Sequence, residues 1–315
     1  MKTIAITMGD PFGVGPEIAV QTLASPDIQQ CCNPVLVGDQ QVLAAAARQC
    51  NIPDFLHRFD HQICHVPSGI SHPLSQAGTV QACGGQAAYD CICAAHELCV
   101  SGKAHAVATA PINKESLKAA RVPYIGHTEI FAALTNTHDP LTMFETTGLR
   151  IFFLTRHLSL SAACEAVTEE RVLDYIRRCT KALHDIGITQ GTLAVAGLNP
   201  HSGEHGLFGN EEMKAIVPAV QQAQAEGYDV EGPVSADSVF HLAHKGRYVA
   251  VLSLYHDQGH IAAKTLDFHR TISITHGLPY LRTSVDHGTA FDIAWKGIAD
   301  PISMQEAVRL ASLYA

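Results

Sequence analysis

Short apolar runs of strand length alternate with longer stretches of helical period along almost the whole chain. Residues 3–8, 34–37, 105–110, 149–155, 192–198, 248–254 and 271–275 read as strands. Residues 79–101, 168–186, 210–226, 236–245 and 303–313 read as helices, the last opened by Ser303 with Glu306 three residues on, a capping box. Strands and helices in this alternation predict a largely parallel sheet covered by helices, an α/β fold. No repeat, low-complexity tract or long linker interrupts the pattern, so composition marks no domain boundary. At 315 residues and 47% hydrophobic content, the chain can bury two domains or one large α/β unit.

Charge narrows the functional classes. Only 16% of residues are charged and the formal net charge is −9, which argues against a nucleic-acid partner, since phosphate backbones demand a basic footprint. The first residues lack a charged-then-apolar leader, and no apolar run approaches membrane-spanning length, so a cytoplasmic protein with no membrane partner is expected. Ten cysteines without CxxC spacing fit a reducing compartment, and Cys83, Cys91 and Cys99 fall in apolar helical stretches as small hydrophobes. Nineteen histidines against twenty-one Lys and Arg make histidine position the informative feature.

Three histidines lie at or just beyond predicted strand ends: His157, His201 in Asn-Pro-His-Ser-Gly-Glu, and His256 in His-Asp-Gln-Gly-His. Ligands of open α/β sheets gather outside the carboxyl ends of the strands, and three imidazoles there suit one divalent ion with positions left open for substrate or water. Each alone reads better as a hydrogen-bonded surface or loop histidine; three in equivalent places shift the balance. The first strand runs into Gly9-Asp10-Pro11-Phe12-Gly13-Val14-Gly15-Pro16-Glu17, a strand-to-helix turn that could seat an anion but is neither GxGxxG nor a P-loop. Pro111-Ile112-Asn113-Lys114-Glu115 and Gly126-His127-Thr128-Glu129 read as helix starts, the second with an imidazole and a hydroxyl where backbone N–H groups favour an anion. Lys264, Arg270 and Arg282 form an anion-binding inventory in an acidic chain; Arg270 reads better as one half of a surface pair. Ser284, Asp286 and His287 carry the residue types of a hydrolytic triad, but adjacency in sequence does not supply triad geometry.

Taken in order from Gly9 to Ala290, these segments resemble the 4-hydroxythreonine-4-phosphate dehydrogenase family of pyridoxal phosphate biosynthesis and its branch acting on D-threonate or D-erythronate 4-phosphate. The resemblance implies a fold like isocitrate and isopropylmalate dehydrogenases, with two α/β domains flanking a cleft and NAD (or NADP) bound without a Rossmann fingerprint. It places the first domain at 1–120 plus 280–315, on the nucleotide side, and the second, for metal, substrate and dimerisation, at 121–279. It implies a homodimer with an interface metal site, His157 and His201 coming from one chain and His256 from the other, and it assigns substrate contacts to His127, Thr128, Lys264 and Arg282. Where the vitamin-pathway branch carries a substrate-binding asparagine, this chain has Ser273, whose hydroxyl cannot reproduce an amide's donor and acceptor pair. With His260 and His276 standing where that branch has apolar residues, the departure favours the D-threonate or D-erythronate 4-phosphate branch.

The expected reaction is NAD-linked oxidation at C3 of a 4-phosphorylated four-carbon hydroxy acid, followed by decarboxylation. Zinc, cobalt, magnesium or manganese would lower the hydroxyl's pKa. Asp257, Asp237 and Lys264 are candidate general bases, and the NAD contacts are not assignable. Two other classes use the same residues: a metal-dependent hydrolase or lyase of a small phosphorylated substrate, and a non-catalytic binding protein on this scaffold.

Overall fold

A computed structural model describes residues 1–315. Eleven strands occur: β1 (Thr3–Thr7), β2 (Asn33–Gly38), β3 (Ile63–His65), β4 (Ala106–Thr109), β5 (Leu141–Thr146), β6 (Leu149–Phe153), β7 (Leu193–Ala196), β8 (Val230–Val234), β9 (Ala250–Ser253), β10 (Ile272–His276) and β11 (Leu281–Val285). The chain divides into two compact units, Met1–Pro140 with Ile272–Ala315, and Leu141–Thr271. The divisions fall at 140/141 and 271/272, whereas the sequence reading set them at 120/121 and 279/280. Helix His127–Leu134, with His127 and Thr128, therefore belongs to the first unit.

In the first unit the strand order is β3-β2-β1-β4-β11-β10. All its pairs are parallel except β10 with β11. β1 and β4 are almost wholly buried, which is why they read as unbroken apolar runs. The chain steps outward from β1 through β2 to β3 and then returns to the other flank of β1 as β4, so a topological switch point lies between β1 and β4. Beyond those strand ends Gly9 approaches Pro111 so closely that a Cβ would stand 2.4 Å from its carbonyl oxygen, and Asp10 N donates to the same oxygen at 3.0 Å. Glu17, fully buried in helix Gly15–Ala24, accepts from Trp295 N (2.6 Å) and Gly297 N (2.7 Å), while Trp295 Nε1 donates to Pro11 O at 2.9 Å. One carboxylate thereby clamps the segment after β11 onto the β1 turn.

In the second unit the order is β5-β6-β9-β7-β8, with β5 antiparallel to β6 and the other pairs parallel. Phe144, Leu149, Ile151, Phe153, Val239, Tyr248, Val251 and Ala263 form its core. Each large apolar side chain so buried contributes on the order of 1.5–3 kcal/mol.

Several elements differ from the sequence reading. β3, β5, β8 and β11 were not read as strands, because Leu-Arg-Thr-Ser-Val and Val-Glu-Gly-Pro-Val lack both an apolar run and a clean alternation. Helix His256–Leu266 begins on residues read as a loop motif. The capping box at Ser303 does not form: Ser303 is buried inside helix Ile302–Tyr314, and Ile302 N donates instead to Asp300 Oδ1 at 2.9 Å. All ten cysteines are free thiols; Cys91, Cys99 and Cys179 are buried, and burial raises their pKa, while Cys83 is exposed rather than packed. No helix is long and apolar enough to cross a membrane.

Candidate active site

β6, β9 and β7 are neighbouring parallel strands, and the segments leaving their carboxyl ends carry His157, His256 and His201 respectively. Adjacent strands lie about 4.8 Å apart, so the topology delivers three imidazoles to one edge of the second unit. The rings of His157 and His256 stand with centroids 6.1 Å apart. Within one chain His256 is therefore a ring neighbour of His157, a consequence of the direct β6–β9 pairing. His256 opens its helix, and its Nδ1 lies 2.6 Å from Asp257 Oδ1. An Nδ1–H donated to that carboxylate fixes the tautomer and leaves Nε2 with its lone pair outward, the usual arrangement of an imidazole that binds a metal. His260 stacks on His256 with centroids 3.8 Å apart and packs against Phe144 and Phe153, which holds the His256 ring from behind.

His201 is exposed on the turn Pro200–Gly206, where His201, Ser202, Gly203, Glu204 and His205 all have φ between +43° and +79°. A left-handed turn costs about 1–2 kcal/mol for each non-glycine residue, so the surroundings must enforce it. They do so from below: Leu198 N and Asn199 N donate to Glu212 Oε1 (2.8 and 2.7 Å), and Asn199 Nδ2 donates to Glu212 Oε2 (2.8 Å) and Glu211 Oε2 (2.7 Å). A single chain holds no cluster of three or more His, Cys, Asp or Glu able to bind a metal by itself. The donor set nevertheless fits a divalent ion: imidazole nitrogens on braced loops, one of them oriented by a carboxylate.

The remaining second-unit candidates separate clearly. Asp257 is exposed, with one carboxylate oxygen engaged by His256. Asp237 is exposed in the first turn of helix Ala236–His244, and Lys264 Nζ sits 5.4 Å over the Phe268 ring. Arg270 pairs with Asp267 on the surface, as its sequence context suggested.

The first unit carries a second cluster of sequence-predicted residues, around Arg282. Arg282, on β11, is only 4% exposed. Its Nε and Nη2 donate to Thr109 Oγ1 (3.3 and 3.0 Å), Nη1 donates to Thr275 Oγ1 (3.1 Å), and the guanidinium lies 5.4 Å from the Phe131 ring centroid. His127 stacks on the same Phe131, and its Nε2, shut off from solvent, has no hydrogen-bond partner. Burial first, and the charge of Arg282 second, hold the His127 imidazole well below the ordinary histidine pKa. Beside the buried guanidinium, His127 thus keeps one enclosed polar atom without a partner. Thr128 follows His127 at the helix start, and Ser273 lies on β10 directly opposite Ser284. The Ser284 hydroxyl donates to backbone carbonyls and His287 Nδ1 lies 2.9 Å from Gly288 O, so neither side chain is aimed at the other as in a triad.

The depressed His127 pKa has a testable sign. The native state binds fewer protons than the unfolded chain below about pH 6.5, so the stability His127 contributes is present above that pH and lost as pH falls. Between about pH 7.5 and 5.5 the melting temperature of the protein should fall more steeply than that of His127→Gln. Equal slopes in thermal unfolding would count against a buried neutral His127.

Thr109, Thr275, Glu212, Asn199 and Gln258 were not singled out from the sequence. Asn199 and Gln258 stand inside the His201 and His256 motifs without a role of their own being assigned.

Residues 30–311 match the family model described as "Pyridoxal phosphate biosynthetic protein PdxA". A protein of Fusobacterium nucleatum subsp. nucleatum, provisionally named a D-threonate 4-phosphate dehydrogenase, is 58% identical, with 100% of this chain and 98% of the relative covered. The crystal structure of 4-hydroxythreonine-4-phosphate dehydrogenase from Klebsiella pneumoniae matches with a TM-score of 0.87 at 40% identity, covering 99% of this chain and 98% of that one. A terephthalate 1,2-cis-dihydrodiol dehydrogenase from Burkholderia xenovorans LB400 matches at 29% identity and a TM-score of 0.66, covering 99% and 98%.

Proposed function

The chain belongs to the PdxA family of pyridoxal phosphate biosynthetic proteins, and from that premise we propose that this dehydrogenase oxidises D-threonate 4-phosphate at C3 with NAD and decarboxylates the product. The observation that carries the reading is the delivery of three imidazoles by three adjacent parallel strands, with His256 oriented by Asp257. Ser273, in place of the amide of the vitamin-pathway branch, suits a substrate with a hydroxyl where 4-hydroxythreonine 4-phosphate has an amino group.

In this reading His157, His201 and His256 hold the divalent ion, the set being completed where two copies meet in a homodimer. When bound, the ion supplies Lewis-acid polarisation of the substrate hydroxyl, and the nicotinamide supplies the hydride acceptor. Arg282 binds the substrate's anionic group with a preorganised fork, His127 Nε2 and the Thr128 hydroxyl complete that contact, and Ser273 meets the substrate's polar middle. Asp257 keeps His256 in the ligating tautomer. Lys264 and Asp237 are left as the groups that move the hydroxyl and carbon protons, to be separated by the pH profiles of their variants. The ten free thiols suit a cytoplasmic enzyme.

The test is NADH formation by the purified protein with a divalent ion and each of D-threonate 4-phosphate, D-erythronate 4-phosphate and 4-hydroxythreonine 4-phosphate. The first should give a kcat/KM at least about tenfold above the third, the scale of one hydrogen-bonding mismatch. Phosphate release without NADH from all three would instead establish a hydrolase.

A further inference from the structure

The turn that carries His201 lies against Glu212, a carboxylate about forty residues from the nearest other strand-end histidine in sequence and absent from every motif considered above. Glu212 is 1% exposed. It opens a π-helical turn, Glu212–Ile216, a local irregularity often found where a helix must re-aim a functional side chain. Its two oxygens take three donors from the segment leading into the turn: two backbone N–H groups on Oε1 and the Asn199 amide on Oε2. The turn also closes down on Glu212 itself, for a Cβ on Gly203 would stand 2.7 Å from Glu212 Oε2. A second tie runs from this segment to the His256 strand: Gln258 Nε2 donates to Gly197 O (2.9 Å) while its Oε1 accepts from Leu254 N (2.7 Å). The exit of β7 is thus fixed both to the helix beneath it and to the exit of β9.

Five consecutive residues with positive φ do not hold that conformation through their own preference. The carboxylate compensates, because it satisfies two backbone donors and the Asn199 amide at the entrance to the turn and so anchors the segment from which the turn departs. We propose that Glu212 is a positioning residue for the metal site: it enforces the left-handed turn and so sets the direction of the His201 imidazole, with Gln258 keeping that turn in register with His256. The inference rests on the reading of His201 as a metal ligand. It adds that the affinity of the site for metal is governed by a buried side chain that never touches the ion.

Cobalt(II) alone, titrated into the full-length metal-stripped protein and followed by calorimetry and by its visible absorption, provides a readout independent of turnover. Glu212→Gln should bind cobalt about 10–100-fold more weakly than the unsubstituted protein, the range typical when the support of a ligand is lost, and with an altered absorption envelope. Its far-ultraviolet circular dichroism in chelator should be unchanged. Asn199→Ala, which keeps both backbone bonds to Glu212 and removes only the amide tie, should show a smaller loss in the same direction. It also serves as the test if Glu212→Gln does not fold. His201→Ala separates the two levels of the argument. If it loses cobalt while folded Glu212→Gln and Asn199→Ala bind as tightly as the unsubstituted protein, the positioning role is overturned and the metal site stands. If His201→Ala binds cobalt normally, the metal reading falls and this inference falls with it.

Discussion

His256→Ala will lose its divalent ion on dialysis and fall in kcat/KM by about a thousandfold or more, while its melting temperature in chelator stays close to that of the unsubstituted protein. The magnitude follows from what a Lewis acid supplies, several kcal/mol of transition-state stabilisation, and about 4 kcal/mol corresponds to roughly a thousandfold. The small effect on stability follows from position: His256 lies at a helix start and is only half-buried, and its side-chain hydrogen bond goes to an exposed aspartate. Asp257→Asn should reproduce part of this loss, about 10–100-fold, because an amide can donate to Nδ1 and favour the wrong tautomer. Metal content by elemental analysis, read beside kcat/KM, decides the matter. A His256→Ala protein that keeps one ion per chain and stays within tenfold of full activity would remove His256 from the site.

The second large effect is expected at Arg282. Arg282→Met preserves the stem that packs beside Phe131 and removes the fork. Two charge-assisted hydrogen bonds to a substrate anion, at about 1.5–3 kcal/mol each, amount to roughly 3–6 kcal/mol, or a loss in kcat/KM of about 10²–10⁴. Arg282→Lys should recover only a small part of it, since an ammonium cannot reproduce the planar pair of donors that already engages Thr109 and Thr275. Stability should change little, because removing a buried charge relieves desolvation and the Thr109 hydroxyl keeps its bond to Thr283 O. The discriminating comparison is between phosphorylated substrates and their dephosphorylated counterparts. If Arg282→Met penalises both equally, the guanidinium contacts the carboxylate end or acts only through structure. If kcat/KM is unchanged, Arg282 has no part in substrate binding.

Most of the sheet was legible because buried parallel strands declare themselves as apolar runs: β1, β4, β6, β7 and β9 each carry three or more fully buried residues in succession. β11 escaped because it alternates function with structure. Its Arg282, Thr283 and Ser284 are polar by composition and buried by partnership, so no hydropathy pattern could mark them. Helix His256–Leu266 was hidden by its opening residues, since His, Asp and Gly in its first turn are weak helix formers. In the candidate site, the placement of the three histidines beyond neighbouring strand ends could be read, because the strands before them are apolar runs. Which histidine stands beside which could not, since that depends on β9 inserting between β6 and β7, a fact of strand order with no local signature. Glu212 was invisible for the same reason, and Gln258, though quoted within the His256 motif, gave no sign of its role: the meaning of each comes only from distant carbonyls and amides.

The first unit is assembled from both ends of the chain, with β11 and β10 completing a sheet begun by β1, β2 and β4. During synthesis on the ribosome, β4 must therefore wait with a bare hydrogen-bonding edge while more than a hundred intervening residues emerge, the whole contiguous second unit among them. The second unit can consolidate as it leaves the exit tunnel, but the pocket around Arg282 cannot exist until the last segment arrives. A chain cut short between the end of the second unit and β11 would consequently carry all three strand-end histidines beside an open, sticky sheet, and would be a substrate for chaperones and proteases rather than a weakened enzyme.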